Sequence, residues 1–135
     1  RVTGVIPQGL ESREVAHRGL SELHVVSSMH ERKAMMASLS DAFISLPGGL
    51  GTFEETLEVM TWSQLGIHQK PCGLLNVEGF YDGLLSFLDH SVTEGFMKSE
   101  NKDRLIVAEE ATALLDALAD FIPDPTEQWL DPDAI

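Results

Sequence analysis

Short apolar runs alternate along this chain with longer segments whose apolar residues recur at helical spacing. Residues 2–6 predict a strand closed by Pro7, and the polar, mixed stretch 8–19 predicts a loop with room for one helical turn. Leu23-His24-Val25-Val26 predicts a second strand or a short edge strand. Ser28 is placed to cap a helix over 29–38, with Glu31 three residues on completing a capping box. Asp41-Ala42-Phe43-Ile44-Ser45-Leu46 predicts a buried strand, and 52–65 a helix with Phe53, Leu57, Met60 and Gln64 on one face, ended by Gly66. Residues 72–77 and 104–108 predict further strands. Between them, 81–93 predicts a helix with Leu84, Leu85, Leu88 and Val92 at helical spacing. A last helix, 109–121, starts on acidic residues as the helix dipole prefers, and a tail rich in Pro and Asp follows from Pro123. Strands alternating with helices imply an α/β fold whose parallel sheet is covered on both faces.

Composition narrows the possibilities. The 135 residues suit one domain, and 43% hydrophobic content is enough for a packed core. No run approaches the roughly 18 apolar residues of a membrane span. The first residues read as the interior of a strand and lack an initiator Met, so the chain is expected to begin inside a longer protein. The single Cys72 allows no internal disulfide and fits a reducing cytoplasm. It lies in an apolar run and reads as a packed thiol rather than a nucleophile. Nine Lys and Arg against 22 Asp and Glu give a net charge of −13, which repels nucleic acid and anionic lipid. An anionic small molecule would have to be held by a local gathering of the few cations.

The stretch that carries chemistry is Leu46-Pro47-Gly48-Gly49-Leu50-Gly51-Thr52-Phe53-Glu54-Glu55. A strand, a glycine-rich turn and a helix start are the parts from which α/β proteins build anion sites. The glycines admit a ligand close to the backbone, and the helix presents N–H groups and the positive end of its dipole. Thr52 can cap the helix or bond a phosphate oxygen. Glu54 and Glu55 fit a helix start for electrostatic reasons alone, but a carboxylate one turn inside a phosphate cradle also suits chemistry on a phosphorylated substrate. Arg32 and Lys33 are the one adjacent basic pair, in the first turn of a predicted helix where the dipole disfavours cations. They are either solvated or there to meet an anion. The five histidines include no metal-ligand pair of the HxxxH or HExxH kind, and no second cysteine assists them. No G-x-S-x-G is present, and no signature of a pyridoxal phosphate lysine.

Pro47-Gly48-Gly49-Leu50-Gly51-Thr52-Phe53-Glu54-Glu55 resembles the P-G-G-x-G-T-x-x-E motif of the LONELY GUY family, and Met29-His30-Glu31-Arg32-Lys33 resembles its M-H-x-R-K motif. Val5-Ile6-Pro7, Thr61-Trp62-Ser63-Gln64-Leu65-Gly66 and Lys70-Pro71-Cys72-Gly73-Leu74-Leu75 match as well. The family was long labelled possible lysine decarboxylase, a label that the missing pyridoxal phosphate signature argues against here. The resemblance implies a Rossmann-like, three-layer α/β/α fold, placed over residues 1–122, and the composition leaves an acidic, Pro-rich tail over 123–135. It implies hydrolysis of the N-glycosidic bond of cytokinin nucleoside 5′-monophosphates, giving a free N6-modified adenine and ribose 5-phosphate. Arg32 and Glu55 match the catalytic pair. Glu14, Lys33, Gly49, Leu50, Gly51, Thr52, Phe53, Glu54 and Thr61 match substrate contacts. A homodimer is implied, and neither a metal nor a redox cofactor is required. Family members begin with a βαβ unit absent here, which leaves an expected gap in the sheet between strand 2–6 and strand 41–46. The alternatives are a general nucleoside monophosphate glycosidase acting on AMP and a nucleotide-binding module of the same fold without turnover.

In the hydrolase reading, positive charge builds at the anomeric carbon of the ribose. A carboxylate at Glu55 stabilises that charge and orients water, Arg32 contacts the nucleotide, and the distant phosphate supplies binding energy for positioning.

Overall fold

A computed structural model describes residues 1–11 and 19–123. Two compact units emerge, Arg1–Ser40 and the residues from Asp41 onward.

The first unit holds β1 (Thr3–Pro7), α1 (Gln8–Glu11), β2 (Glu22–Val26) and α2 (Met29–Leu39). β1 and β2 pair in parallel, from Thr3 opposite Glu22 to Pro7 opposite Val26. Pro7 is therefore the last strand residue, a strand-end position where its missing N–H is tolerated. The one helical turn expected after it is α1. Ile6 and Val26 are buried, whereas Leu23 and Val25 are exposed on β2.

The second unit holds β3 (Phe43–Ser45), α3 (Leu50–Gln64), β4 (Cys72–Leu75), a 3-10 turn (Val77–Gly79), α4 (Asp82–Thr93), α5 (Ser99–Asp103), β5 (Leu105–Ala108) and α6 (Ala111–Ala119). Its sheet has the order β3-β4-β5, all parallel. Among the described residues β1–β2 and β3–β4–β5 are separate sheets. Cys72, Leu74, Tyr81, Leu88 and Leu105 form the core, and Phe43, Phe53, Met60, Leu84 and Leu85 pack on it. Burial pushes the Cys72 thiol up to about 11, so it is protonated at neutral pH and acts as a small apolar group, as expected.

Several expectations are corrected. α3 begins at Leu50 rather than Thr52, because Gly49 serves as its N-cap and Leu50 and Gly51 already take helical geometry. Thr52 is therefore not a cap, and Glu54 and Glu55 fall beyond the first turn. The stripe of α3 facing the sheet is also displaced. Thr56 and Ser63 are buried while Leu57 is 41% exposed, although Phe53 and Met60 do reach the core. Hydroxyls can occupy this face because each is hydrogen-bonded. The strand predicted over 72–77 stops at Leu75, where buried Asn76 turns the chain. α5 has no counterpart among the predicted elements, because its sequence, Ser99-Glu100-Asn101-Lys102-Asp103, has no apolar periodicity. In α6, Glu110 is the N-cap and the first turn carries no acidic residue. Gly66 ends α3 as expected, with φ 77°, a left-handed conformation that glycine adopts without strain.

Candidate functional site

The glycine turn leaves the carboxyl end of β3 and feeds α3, at the sheet edge where parallel α/β sheets bind ligands. With Gly49 as N-cap, the amides of Leu50, Gly51 and Thr52 have no acceptor within the helix, and the Phe53 amide donates to the Gly49 carbonyl at 3.1 Å. None of Gly48, Gly49 and Gly51 has a positive φ, so their use lies in the space they leave. A Cβ on Gly48 would sit 2.2 Å from Oγ1 of Thr52, so the turn closes on Thr52 only with glycine there. A Cβ on Gly49 or Gly51 would meet no atom within 4 Å. These two positions are open to a ligand, next to the amides and the positive end of the α3 dipole.

Two sets of hydrogen bonds hold the turn. Thr56 Oγ1 donates to the Thr52 carbonyl at 2.6 Å and lies 2.5 Å from Ser45 Oγ. A hydroxyl has one proton, so Ser45 donates to Thr56 and Thr56 to Thr52, linking the end of β3 to the first turn of α3. On the strand side, the Tyr81 hydroxyl donates to the Leu46 carbonyl at 2.5 Å. Ser45, Thr56, Tyr81 and Asn76 were missed in the sequence. The motif gives no hint of Tyr81, which is 35 residues from its acceptor.

Glu55 follows Gly51 by four residues and Thr52 by three, so all three share a face of α3. Helical Cα–Cβ bonds tilt toward the N-terminus, which directs the Glu55 side chain toward the anion-binding end. Leu50, Glu54 and Thr61 are exposed, and Phe53 is turned inward against Tyr81 with ring centroids 6.4 Å apart. The Thr61 hydroxyl donates to the Leu57 carbonyl at 2.7 Å. It lies about 13 Å along the axis from Thr52, so the two can meet one ligand only if that ligand extends along the helix.

Arg32 and Lys33 are half-buried on α2 in the first unit. Ser28 caps this helix as expected: its Oγ accepts from the Glu31 amide at 3.1 Å. The return half of the capping box is displaced by one residue. The Glu31 carboxylate accepts from the hydroxyl and amide of Ser27, at 2.6 and 2.7 Å, which lowers its pKa. The Nε of Arg32 donates to the Val5 carbonyl at 3.2 Å, so its guanidinium is anchored to β1 rather than simply solvated. Glu14 lies outside the described residues.

Other titratable groups have structural roles. His68 Nδ1 accepts from the Lys70 amide at 3.1 Å and Nε2 faces the Val59 carbonyl at 2.9 Å, so Nε2 carries the proton. Burial lowers its pKa, and the ring is neutral near pH 7. Among the described residues no group of His, Cys, Asp or Glu is arranged to hold a metal ion.

Residues 1–118 match the family described as possible lysine decarboxylase. The chain is 54% identical over 122 residues to cytokinin riboside 5′-monophosphate phosphoribohydrolase LOG2 of Arabidopsis thaliana, covering 90% of this chain and 57% of the relative. It is 54% identical over 123 residues to cytokinin riboside 5′-monophosphate phosphoribohydrolase LOG of Oryza sativa subsp. japonica, covering 91% of this chain and 51% of the relative. The match to LOG1 of Arabidopsis thaliana is 53% over 122 residues, covering 90% and 57%. The chain thus spans a little over half the length of these curated relatives.

Proposed function

We propose a function from one premise: the chain belongs to the possible lysine decarboxylase family and is homologous to its cytokinin riboside 5′-monophosphate phosphoribohydrolases. The reaction is hydrolysis of the N-glycosidic bond of an N6-modified adenine nucleoside 5′-monophosphate. The observation that carries this reading is the start of α3, where open amide-lined space at Gly49 and Gly51 lies on the helix that presents Glu55. The 5′-phosphate sits on the amides of Leu50, Gly51 and Thr52, with Phe53 and Glu54 beside them.

Glu55 is the catalytic carboxylate. Its negative charge opposes the positive charge that develops on the ribose ring as the bond to the base breaks, and it orients the water that attacks the anomeric carbon. Anchoring the phosphate away from the reacting bond makes attack effectively intramolecular. Arg32 is the second catalytic residue. Lys33, Glu14 and Thr61 are substrate contacts by their place in the matching motifs. The hydrolase portion is 1–122, with 123–135 as a tail, and a single buried thiol suits a cytoplasmic setting.

Supplying isopentenyladenosine 5′-monophosphate and AMP separately tests the reading. Isopentenyladenine and ribose 5-phosphate are expected from the first, with much slower release of adenine from the second. Equal rates would make the protein a general nucleotide glycosidase. Binding without release would make it a nucleotide-binding module.

We also propose a two-fold homodimer. Leu50, at 85% exposure, and Leu57 make an apolar stripe on α3 that the core of the second unit does not use. Sedimentation at micromolar concentration is expected to give a dimer, and a monodisperse monomer contradicts it. No described helix is long and apolar enough to cross a membrane.

A further inference from the structure

We infer that Tyr81 is a positioning residue for phosphate recognition: it fixes the glycine turn from the far side of the sheet edge and thereby sets the affinity of the α3 amide cradle. The inference rests on the reading that this turn holds the 5′-phosphate.

Tyr81 is 1% exposed and is attached at three points. Its amide donates to Oδ1 of Asn76 at 2.7 Å. Its ring meets Phe53 and Phe80 edge-on, at 6.4 and 5.0 Å between centroids. Its hydroxyl reaches the Leu46 carbonyl, the last peptide group before Pro47. Asn76, itself buried, donates from Nδ2 to Asp82 at 2.8 Å, and its amide donates to the Ala108 carbonyl at 2.8 Å. The Asn76–Tyr81 pair therefore ties together the carboxyl ends of β3, β4 and β5.

The chain geometry between the two residues serves this arrangement. Glu78 and Gly79 have φ of 50° and 73°, two successive left-handed residues that fold the chain back so that the Tyr81 amide meets the Asn76 side chain. For a glutamate this conformation is costly, and strain of this kind concentrates where a position must be held.

A phosphate cradle depends on amides whose direction is set before the ligand arrives. The Ser45–Thr56–Thr52 relay fixes the helix side of the turn, while Tyr81 fixes the strand side through one hydrogen bond and touches the helix side through Phe53. Removing the hydroxyl leaves the ring packing intact and releases the Leu46 carbonyl. The turn can then rotate its peptide groups, and phosphate binding must reorder them.

The test is the binding of AMP and of adenosine to the full chain and to its Tyr81→Phe variant, by calorimetry, with thermal melts alongside. Tyr81→Phe is expected to weaken AMP about tenfold while leaving adenosine within twofold. Amide hydrogen exchange over residues 46–50 is expected to speed up, with little change in β4 and β5. Tyr81→Leu, which also removes the ring, should lower Tm much further than Tyr81→Phe. AMP affinity within twofold of wild type in Tyr81→Phe, or equal weakening of AMP and adenosine, overturns the inference. Wild-type protein with no preference for AMP over adenosine overturns it as well, together with the phosphate cradle. Wild-type protein that prefers AMP but cleaves no nucleotide overturns only the hydrolase reading, and the binding ratio still decides the role of Tyr81.

Discussion

Glu55→Gln is expected to lower kcat on a nucleoside 5′-monophosphate about 100-fold, a loss of about 2.7 kcal/mol of transition-state stabilisation, while the nucleotide still binds. The substitution keeps the shape of the side chain and removes its charge. A neutral amide gives far less stabilisation to an oxocarbenium-like ribose, and it cannot accept a proton from the attacking water. The ground-state substrate carries no positive charge at that carbon, so affinity should hardly change. Glu55 lies beyond the first turn of α3, where the helix dipole gains little from a carboxylate, and a thermal melt of the variant separates any loss of folding from a loss of catalysis. Single-turnover release of ribose 5-phosphate measures the effect, and near-normal release would remove Glu55 from the mechanism.

The phosphate should have an effect of similar or greater size. Isopentenyladenosine is expected to react with kcat/KM at least about 100-fold below that of its 5′-monophosphate. Each charge-assisted bond from an amide to a phosphate oxygen contributes about 1.5–3 kcal/mol, and the start of α3 offers three such amides. Because the phosphate is distant from the bond that breaks, part of this energy can hold the ribose against Glu55, so the loss should appear in kcat as well as in KM. Comparable kcat/KM for nucleoside and nucleotide would mean that the open space at Gly49 and Gly51 has some other use.

The two expectations depend on different parts of α3. The phosphate effect rests on backbone amides, whose number and direction come from the helix start. The Glu55 effect rests on one side chain placed by helical periodicity, three and four residues beyond Thr52 and Gly51. A substitution that disturbs the turn should change phosphate recognition first, whereas Glu55→Gln should leave it alone.

Much of this arrangement was written locally. Alternating strand and helix signals, the Ser28 cap, the left-handed stop at Gly66 and the glycine turn after an apolar run all depend on residues within a few positions of one another. Their geometry follows from backbone sterics and neighbouring hydrogen bonds. The motif residues from Gly49 to Glu55 were likewise recognisable, because one turn and one helix carry them. Periodicity was a poorer guide to the facing of α3. An apolar count favoured Leu57, yet Thr56 and Ser63 are the buried positions, and their hydroxyls meet Ser45 and Arg104, partners that only the fold supplies. α3 starts two residues before its apolar pattern predicts, because glycine at 49 and 51 argues against helix by propensity, while the free amide end of a helix in a turn of this kind tolerates it. The tertiary structure alone decided that Tyr81 reaches Leu46 and that the Asn76–Tyr81 pair joins three strand ends. Those contacts bridge residues far apart in the chain, and no local pattern encodes them: they arise where parallel strands bring their carboxyl ends to one edge.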